Sequence, residues 1–216
     1  MPHLPLYIYF IAFSLFVSFS LYKQNGSHFY LKFFNPFLLI SIIVEIYALY
    51  LWNNGKDNYK VYSYFTVFEF CFYLFILSNI IATIKIKRII IFSLVVYLLI
   101  SLININLIQK DTFHSVTYSL GCLLIVIFCI YYFFELFRSP IAVKLTGEPP
   151  FWICSGLLFY YCCSLPLYGG INFLYQLPKF LLYNMQNIVN VMNILLYSLF
   201  TIAFLCRLRI PKYTLQ

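Results

Sequence analysis

The chain is poor in charge. Only 9% of its 216 residues are Asp, Glu, Lys or Arg and six of those are acidic, while 63% of the chain is hydrophobic and the mean hydropathy is +0.90. Usage of this kind excludes an ordinary soluble domain and leaves a bilayer as the solvent. Histidine is scarce as well: His3, His28 and His114 fall in loops or at the ends of apolar segments, so no haem or zinc ligand set is expected inside them. No Lys lies in the last apolar segment, which excludes a retinal Schiff base of the rhodopsin kind. The chain has no P-loop, no Gly-rich dinucleotide fingerprint and no Gly-x-Ser-x-Gly elbow. Its seven cysteines, Cys71, Cys122, Cys129, Cys154, Cys162, Cys163 and Cys206, all lie in apolar segments without Cys-x-x-Cys spacing. They read as soft packing residues rather than disulfide or metal partners. Nothing marks a nucleophile, so the expectation is a protein without cofactor or metal and not an enzyme, with catalysis by two buried carboxyls the one chemistry left open.

What the sequence does contain is a series of apolar stretches of about 20 residues, the length that crosses a bilayer core of roughly 30 Å. Seven are expected, at Pro5–Tyr22, Pro36–Asn53, Lys60–Thr83, Arg88–Gln109, Ser115–Phe137, Pro150–Tyr175 and Phe180–Cys206. The first lacks the basic leader and the small-residue cleavage site of a secretory signal, so it is kept as a helix. The connections are short, the longest being Lys23–Asn35 and Arg138–Pro149. The expected fold is an all-α polytopic membrane helix bundle, one seven-helix transmembrane domain over 1–216. Asn35-Pro36 and Pro149-Pro150 put proline at the start of a span, where its missing N–H does no harm.

The distribution of Lys and Arg sets the expected orientation. With the N-terminus outside and the C-terminus cytoplasmic, Lys23, Lys32, Lys85, Lys87, Arg88, Arg138, Lys144, Arg207, Arg209 and Lys212 lie inside, and Lys56, Lys60, Lys110 and Lys179 outside. Ten against four obeys the retention of positive charge on the cytoplasmic side. The net charge of +8 then reads as topology and contact with anionic lipid, with no nucleic-acid partner. Trp52 is expected at the outer interface and Trp152 at the inner one. The 22% aromatic content follows in part from Phe, Tyr, Ile, Asn and Lys abundance of the kind an A+T-rich coding sequence produces, so most rings read as lipid-facing or packing residues.

Two carboxylates break the apolar pattern. Glu45 is eight residues before Asn53 and Glu69 nine after Lys60, so both sit about 12 to 14 Å from the outer end of a helix rising 1.5 Å per residue. A carboxylate at that depth is costly and reads as functional. If the second and third spans pack antiparallel across their short loop, both point into one cavity. Two carboxylates there cannot both ionise cheaply, so the pair is expected to share a proton or hold a cation.

Polar residues at helical spacing extend the site. Tyr62, Thr66, Glu69 and Tyr73 share one face of the third span, and Gln186, Asn190, Asn193 and Tyr197 share one face of the seventh. Ser93, Tyr97, Ser101 and Asn104 do nearly so in the fourth, and Ser41 joins Glu45 in the second. The expected ligand- or proton-binding set is Glu45, Glu69, Tyr73, Asn104, Gln186, Asn190, Asn193 and Tyr197. The bland alternative is interhelical glue, worth about 0.6 kcal/mol per contact, for which a carboxyl is a poor choice beside Ser, Thr or Asn. Glu135 reads first as an anchor paired with Arg138 at i,i+3; if functional, the two would mark a docking surface for a cytoplasmic partner. Pro166 and Gly169-Gly170 interrupt the sixth span, which either lines a pocket or ends near Ser164.

The stretches Tyr30-Leu-Lys-Phe-Phe-Asn-Pro-Phe-Leu-Leu-Ile through Glu45, the surroundings of Glu69, Tyr132-Phe-Phe-Glu135 and Glu148-Pro-Pro-Phe-Trp-Ile resemble a group of uncharacterised bacterial seven-helix integral membrane proteins. The resemblance covers nearly the whole chain. It implies a multi-pass protein of a bacterial inner membrane and a receptor-like subunit, such proteins being encoded near sensor kinases; it carries no chemical role for any residue. Three readings stand at this point. The first is a sensor that binds a small polar or cationic ligand in an outward pocket and signals through a cytoplasmic or membrane partner. The second is a proton- or cation-coupled carrier of small solutes, its spans divided three, one and three as in parallel-repeat transporters. The third is a structural membrane subunit. Pro36-Phe37 and Pro150-Phe151 start matching helices of the two halves, but Glu45 and Glu69 have no acidic counterparts in the second.

Overall fold

A computed structural model of the chain describes residues 5–21, 29–110, 112–138, 145–169 and 179–206, with side chains in the last stretch from 184 onward. The regular structure among these residues is helical: α1 Leu6–Ser20, α2 Phe34–Asn53, α3 Tyr59–Ile80, α4 Ile84–Ile103, α5 Ser115–Arg138, α6 Pro149–Gly169 and α7 Lys179–Leu205. Short 3₁₀ turns, Phe29–Phe33 and Leu145–Gly147, precede α2 and α6, and a π-helical turn, Asn104–Ile108, follows α4. The helices α2 to α7 are each long and apolar enough to cross a membrane, α7 over Asn184–Leu205. This is the pattern of a multi-pass membrane protein. At 15 residues, α1 is about 22 Å long, short of a bilayer core of roughly 30 Å. Its outward face is nonetheless apolar, with Phe13, Phe16 and Phe19 exposed. Of the cations used to orient the chain, Lys23, Lys144, Arg207, Arg209 and Lys212 lie outside the described residues, as do His3, His28 and Gly170.

Six helices form a ring in chain order. Contacts run α1 to α2, α2 to α3, α3 to α5, α5 to α6, α6 to α7, and back from α7 to α1. The remaining helix, α4, packs outside the ring in the groove between α3 and α5. Its outer face carries Ile91, Phe92, Val95 and Leu99, all exposed, as expected of a helix bordered by lipid on its free sides.

The α2–α3 hairpin is set by a single glycine. Gly55 has φ +67°, and around it Lys56 N–H donates to Leu51 O and Gly55 N–H to Trp52 O, both at 3.0 Å. These are the two bonds of a Schellman C-cap, which needs a residue free to enter the left-handed region. The tight reversal leaves α2 and α3 antiparallel.

The two halves of the ring interior differ. Towards the start of α2 and the ends of α3 and α7 it is filled: Phe37 stacks on Phe72 at 4.0 Å between centroids, and Phe34 meets Phe72, Phe200 and Phe204 edge-on at 5.2 to 5.5 Å. Phe34, Phe37, Phe200 and Phe204 are buried. Close approach of α3 to α5 depends on Gly121, where a Cβ would lie 2.8 Å from the Phe70 ring. On the other side, Ser14 of α1 donates to Tyr197 O of α7 at 2.9 Å and shares a hydroxyl hydrogen bond of 2.7 Å with Thr201. Apolar side chains on these helices gain little by leaving lipid for the bundle interior, so close packing and interhelical hydrogen bonds hold the ring together.

Candidate functional site

Beyond the packed half, the ring encloses a cavity of about 290 Å³ to which all six of its helices contribute and α4 does not. The lining residues come from the first parts of α1, α3 and α5, the first and middle turns of α7, and the later parts of α2 and α6. Because successive helices alternate in direction, these positions share one end of the bundle, the end where the chain enters α1. Gln186, exposed, and Asn58, half-buried, stand at the rim.

Both carboxylates face this space. Each is half-buried: protein atoms enclose it, and its accessible part opens into the cavity. Their surroundings differ in one respect. Glu45 Oε2 accepts the hydroxyls of Tyr7, at 2.7 Å from α1, and Tyr62, at 3.0 Å from α3. That clamp ties three helices to one oxygen. Beside Glu69 stand the buried hydroxyls of Tyr73 and Tyr161, which act on its carboxyl without a hydrogen bond of ordinary length. The rings of these two tyrosines are 6.0 Å apart, and Tyr73 meets Phe37 and Phe200 of the packed half.

Of the expected site residues, Glu45, Glu69, Gln186, Asn190, Asn193 and Tyr197 all line the cavity. Tyr73 is buried one turn below Glu69 on α3. Asn104 is not brought to the cavity. It sits in the π-turn after α4 and donates to Gln109 at 2.7 Å and Thr117 at 3.1 Å, bonds that hold the end of α4 to the start of α5. The other residues of the α4 stripe are also away from the cavity; Tyr97 and Ser101 are buried, and Tyr97 meets Phe70 of α3. Ser41 turns back to its own helix and donates to Phe37 O.

At the opposite end of the bundle Glu135 has a different partner from the expected one. Its carboxylate accepts Ala82 N–H at 3.0 Å, Thr83 N–H at 2.9 Å and the Thr83 hydroxyl at 2.6 Å. Tyr131 adds a bond to the same hydroxyl. The group therefore caps the start of α4, where an anion meets unpaired N–H groups and the positive end of the helix dipole. No ion pair joins it to Arg138, whose guanidinium lies over the Phe134 ring at 5.4 Å. In α6 the helix runs through Pro166 to Gly169, so it does not end near Ser164, and the extension brings Tyr168 to the cavity.

Several lining residues carried no sequence signal. Tyr7, Tyr118, Tyr160 and Tyr168 are four among 21 tyrosines, and nothing in their spacing separates them from lipid-facing rings. His114, at the end of a span, is buried and bonded through Nε2 to Thr66 Oγ1 of the cavity wall at 3.0 Å. Its Nδ1 has no partner, and burial lowers its pKa to about 4, so it is neutral at pH 7. Comparison with protein-family models, with curated proteins and with solved structures finds no match.

Proposed function

We propose that the chain is a receptor-like membrane subunit of seven spans, α1 completing the count, in a bacterial inner membrane with its N-terminus outside. Its cavity would bind a small polar or cationic solute from the outer side and report occupancy to a cytoplasmic or membrane partner. The observation that carries this reading is the asymmetry of the ring interior. Two carboxylates and the Asn190–Asn193 face border a cavity at one end, while buried phenylalanines fill the other. A one-sided pocket suits a sensor. A bound solute can shift such a protein only by fitting one arrangement of the helices better than another, and the Glu45 clamp joins α1, α2 and α3 at a point where such a fit would be felt.

One observation favours the carrier reading. Exchanging α1–α3 for α5–α7 maps the contacts of the ring onto themselves, the α3–α5 contact answering the α7–α1 contact, with α4 left over. That is the arrangement of three, one and three expected of parallel repeats. The chemistry does not follow the symmetry, because both carboxylates belong to the first half. Proteoliposomes holding the purified protein separate the two readings. A sensor binds members of a panel of small polar and cationic solutes without moving solutes, protons or cations across the membrane. Flux abolished by the Glu45→Gln, Glu69→Gln double variant establishes a carrier.

A further inference from the structure

The cavity wall narrows the chemistry of the ligand, an inference that rests on the cavity being a solute site. Nine of its 17 lining residues are aromatic, seven Tyr and two Phe, two are Glu, and none is Lys, Arg or His. Among the described residues the space is thus acidic and aromatic, without a fixed cation to balance its carboxylates. An anionic ligand would find amide and hydroxyl donors there but no cation to offset the two carboxyls. A metal ion is poorly served, since no three His, Cys, Asp or Glu side chains converge among the described residues, and hard cations such as Ca²⁺ take six to eight oxygen ligands.

The two carboxylates are not equivalent. Glu45 already accepts two tyrosine hydroxyls on one oxygen, Oε2, bonds that tie it to the α1 and α3 walls. At Glu69 the buried hydroxyls of Tyr73 and Tyr161 act on the carboxyl without a hydrogen bond of ordinary length. From α5, α6 and α7, Tyr118, Tyr160 and Tyr197 bring rings to the same cavity. An aromatic wall around a carboxylate is the setting in which the face of a ring attracts a cation whose substituents are apolar.

We propose that the cavity binds an alkylated organic ammonium, with Glu69 as its counter-ion, the tyrosines as its cage, and Glu45 as a positioning residue that holds α1, α2 and α3 around it. The size fits a small solute, the volume lying at the lower edge of the roughly 300 to 1,000 Å³ of ligand pockets.

The test uses choline and its uncharged carbon isostere, 3,3-dimethylbutan-1-ol, on the full chain in detergent, read by calorimetric titration and by thermal stabilisation. Saturable binding of choline, at least about tenfold tighter than the isostere, is the expected result. The Glu69→Gln variant should lose about tenfold or more in choline affinity, and Glu45→Gln less than Glu69→Gln. Equal affinity for choline and the isostere in the native protein overturns the proposal whatever the variants do, and so does Glu69→Gln binding choline undiminished. If neutral polar solutes bind and choline does not, the ammonium assignment falls while the cavity remains a receptor site. If neither choline nor any solute of the panel binds, both readings fall.

Discussion

Gly121→Ala is the sharpest structural perturbation the fold offers. An ideal Cβ at Gly121 meets Cγ and Cδ2 of Phe70 at 2.8 Å and Cδ1 at 2.9 Å. Carbon atoms pack best at about 3.5 to 4.0 Å, so the ring or the helix must withdraw by roughly 0.7 Å or more. Phe70 has no room to move: it is fully buried and hemmed in by Tyr97, Tyr118 and Tyr161 at centroid distances of 5.6, 5.3 and 5.1 Å. Overpacking of this kind costs about 1 to 3 kcal/mol. The higher helix propensity of Ala, about 1 kcal/mol in water, gives back little in a membrane, where a span is helical before it packs. The net expectation is a loss of about 1 to 2 kcal/mol, measured by unfolding of the purified protein in mixed micelles. Gly156→Ala is the matched control, because its Cβ meets Leu196 Cδ1 at 3.3 Å and Leu199 Cβ, already at ordinary contact distance, at 3.4 Å. The end of Leu196 can yield by a few tenths of an ångström, roughly what the contact needs, so the change should stay within about 0.5 kcal/mol. Phe70→Leu in the Gly121→Ala background should restore part of the loss, giving a coupling of opposite sign to the single effects. A Gly121→Ala protein as stable as the parent, or a double variant whose losses simply add, would refute the close approach of α3 and α5.

Three further outcomes follow from named contacts. Glu135→Ala strands the Ala82 and Thr83 N–H groups that its carboxylate accepts and should destabilise by about 1 to 2 kcal/mol; Glu135→Gln, which keeps one acceptor oxygen, should lose less, and Arg138→Ala almost nothing. Gly55→Ala forces a Cβ into a left-handed position and should cost about 1 kcal/mol, read in the same unfolding assay. His114 sets a pH dependence. Its pKa is lowered to about 4 in the fold and returns to roughly 6.5 in the unfolded chain. Between those values the unfolded chain binds the extra proton, so stability falls as pH drops from 6.5 to 4, by up to about 3 kcal/mol. The His114→Gln variant should lack that component of the slope, and an unchanged slope would place the titration elsewhere.

The parts of this architecture that a reader of the sequence can see are those where polarity contradicts an apolar run. Glu45, Glu69 and the Gln186, Asn190, Asn193, Tyr197 face stand out for that reason, and the short connection with Gly55 puts both carboxylates at one level. The α4 stripe shows the limit of the same logic. Helical spacing of Tyr97, Ser101 and Asn104 identifies a face turned away from lipid, but not which interior it meets. Since α4 packs outside the ring, that face meets α3 and α5 instead of the cavity. The spacing on its own helix offers Glu135 only Arg138, one turn away, whereas its partners are more than 50 residues distant in the α3–α4 turn. The tyrosines of the cavity wall were hidden by abundance. A ring that lines a cavity and a ring that faces lipid look alike in a chain with 21 of them.

The most direct test of the account is the accessibility of Asn193, half-buried on the cavity wall between Asn190 and Tyr197. With Asn193→Cys in oriented membrane vesicles, a membrane-impermeant cationic thiol reagent should modify the new cysteine from the side of the N-terminus, above the background of the native cysteines. From the opposite side it should have no effect. Modification from both sides would contradict a one-sided receptor pocket, and modification from neither would contradict the cavity itself.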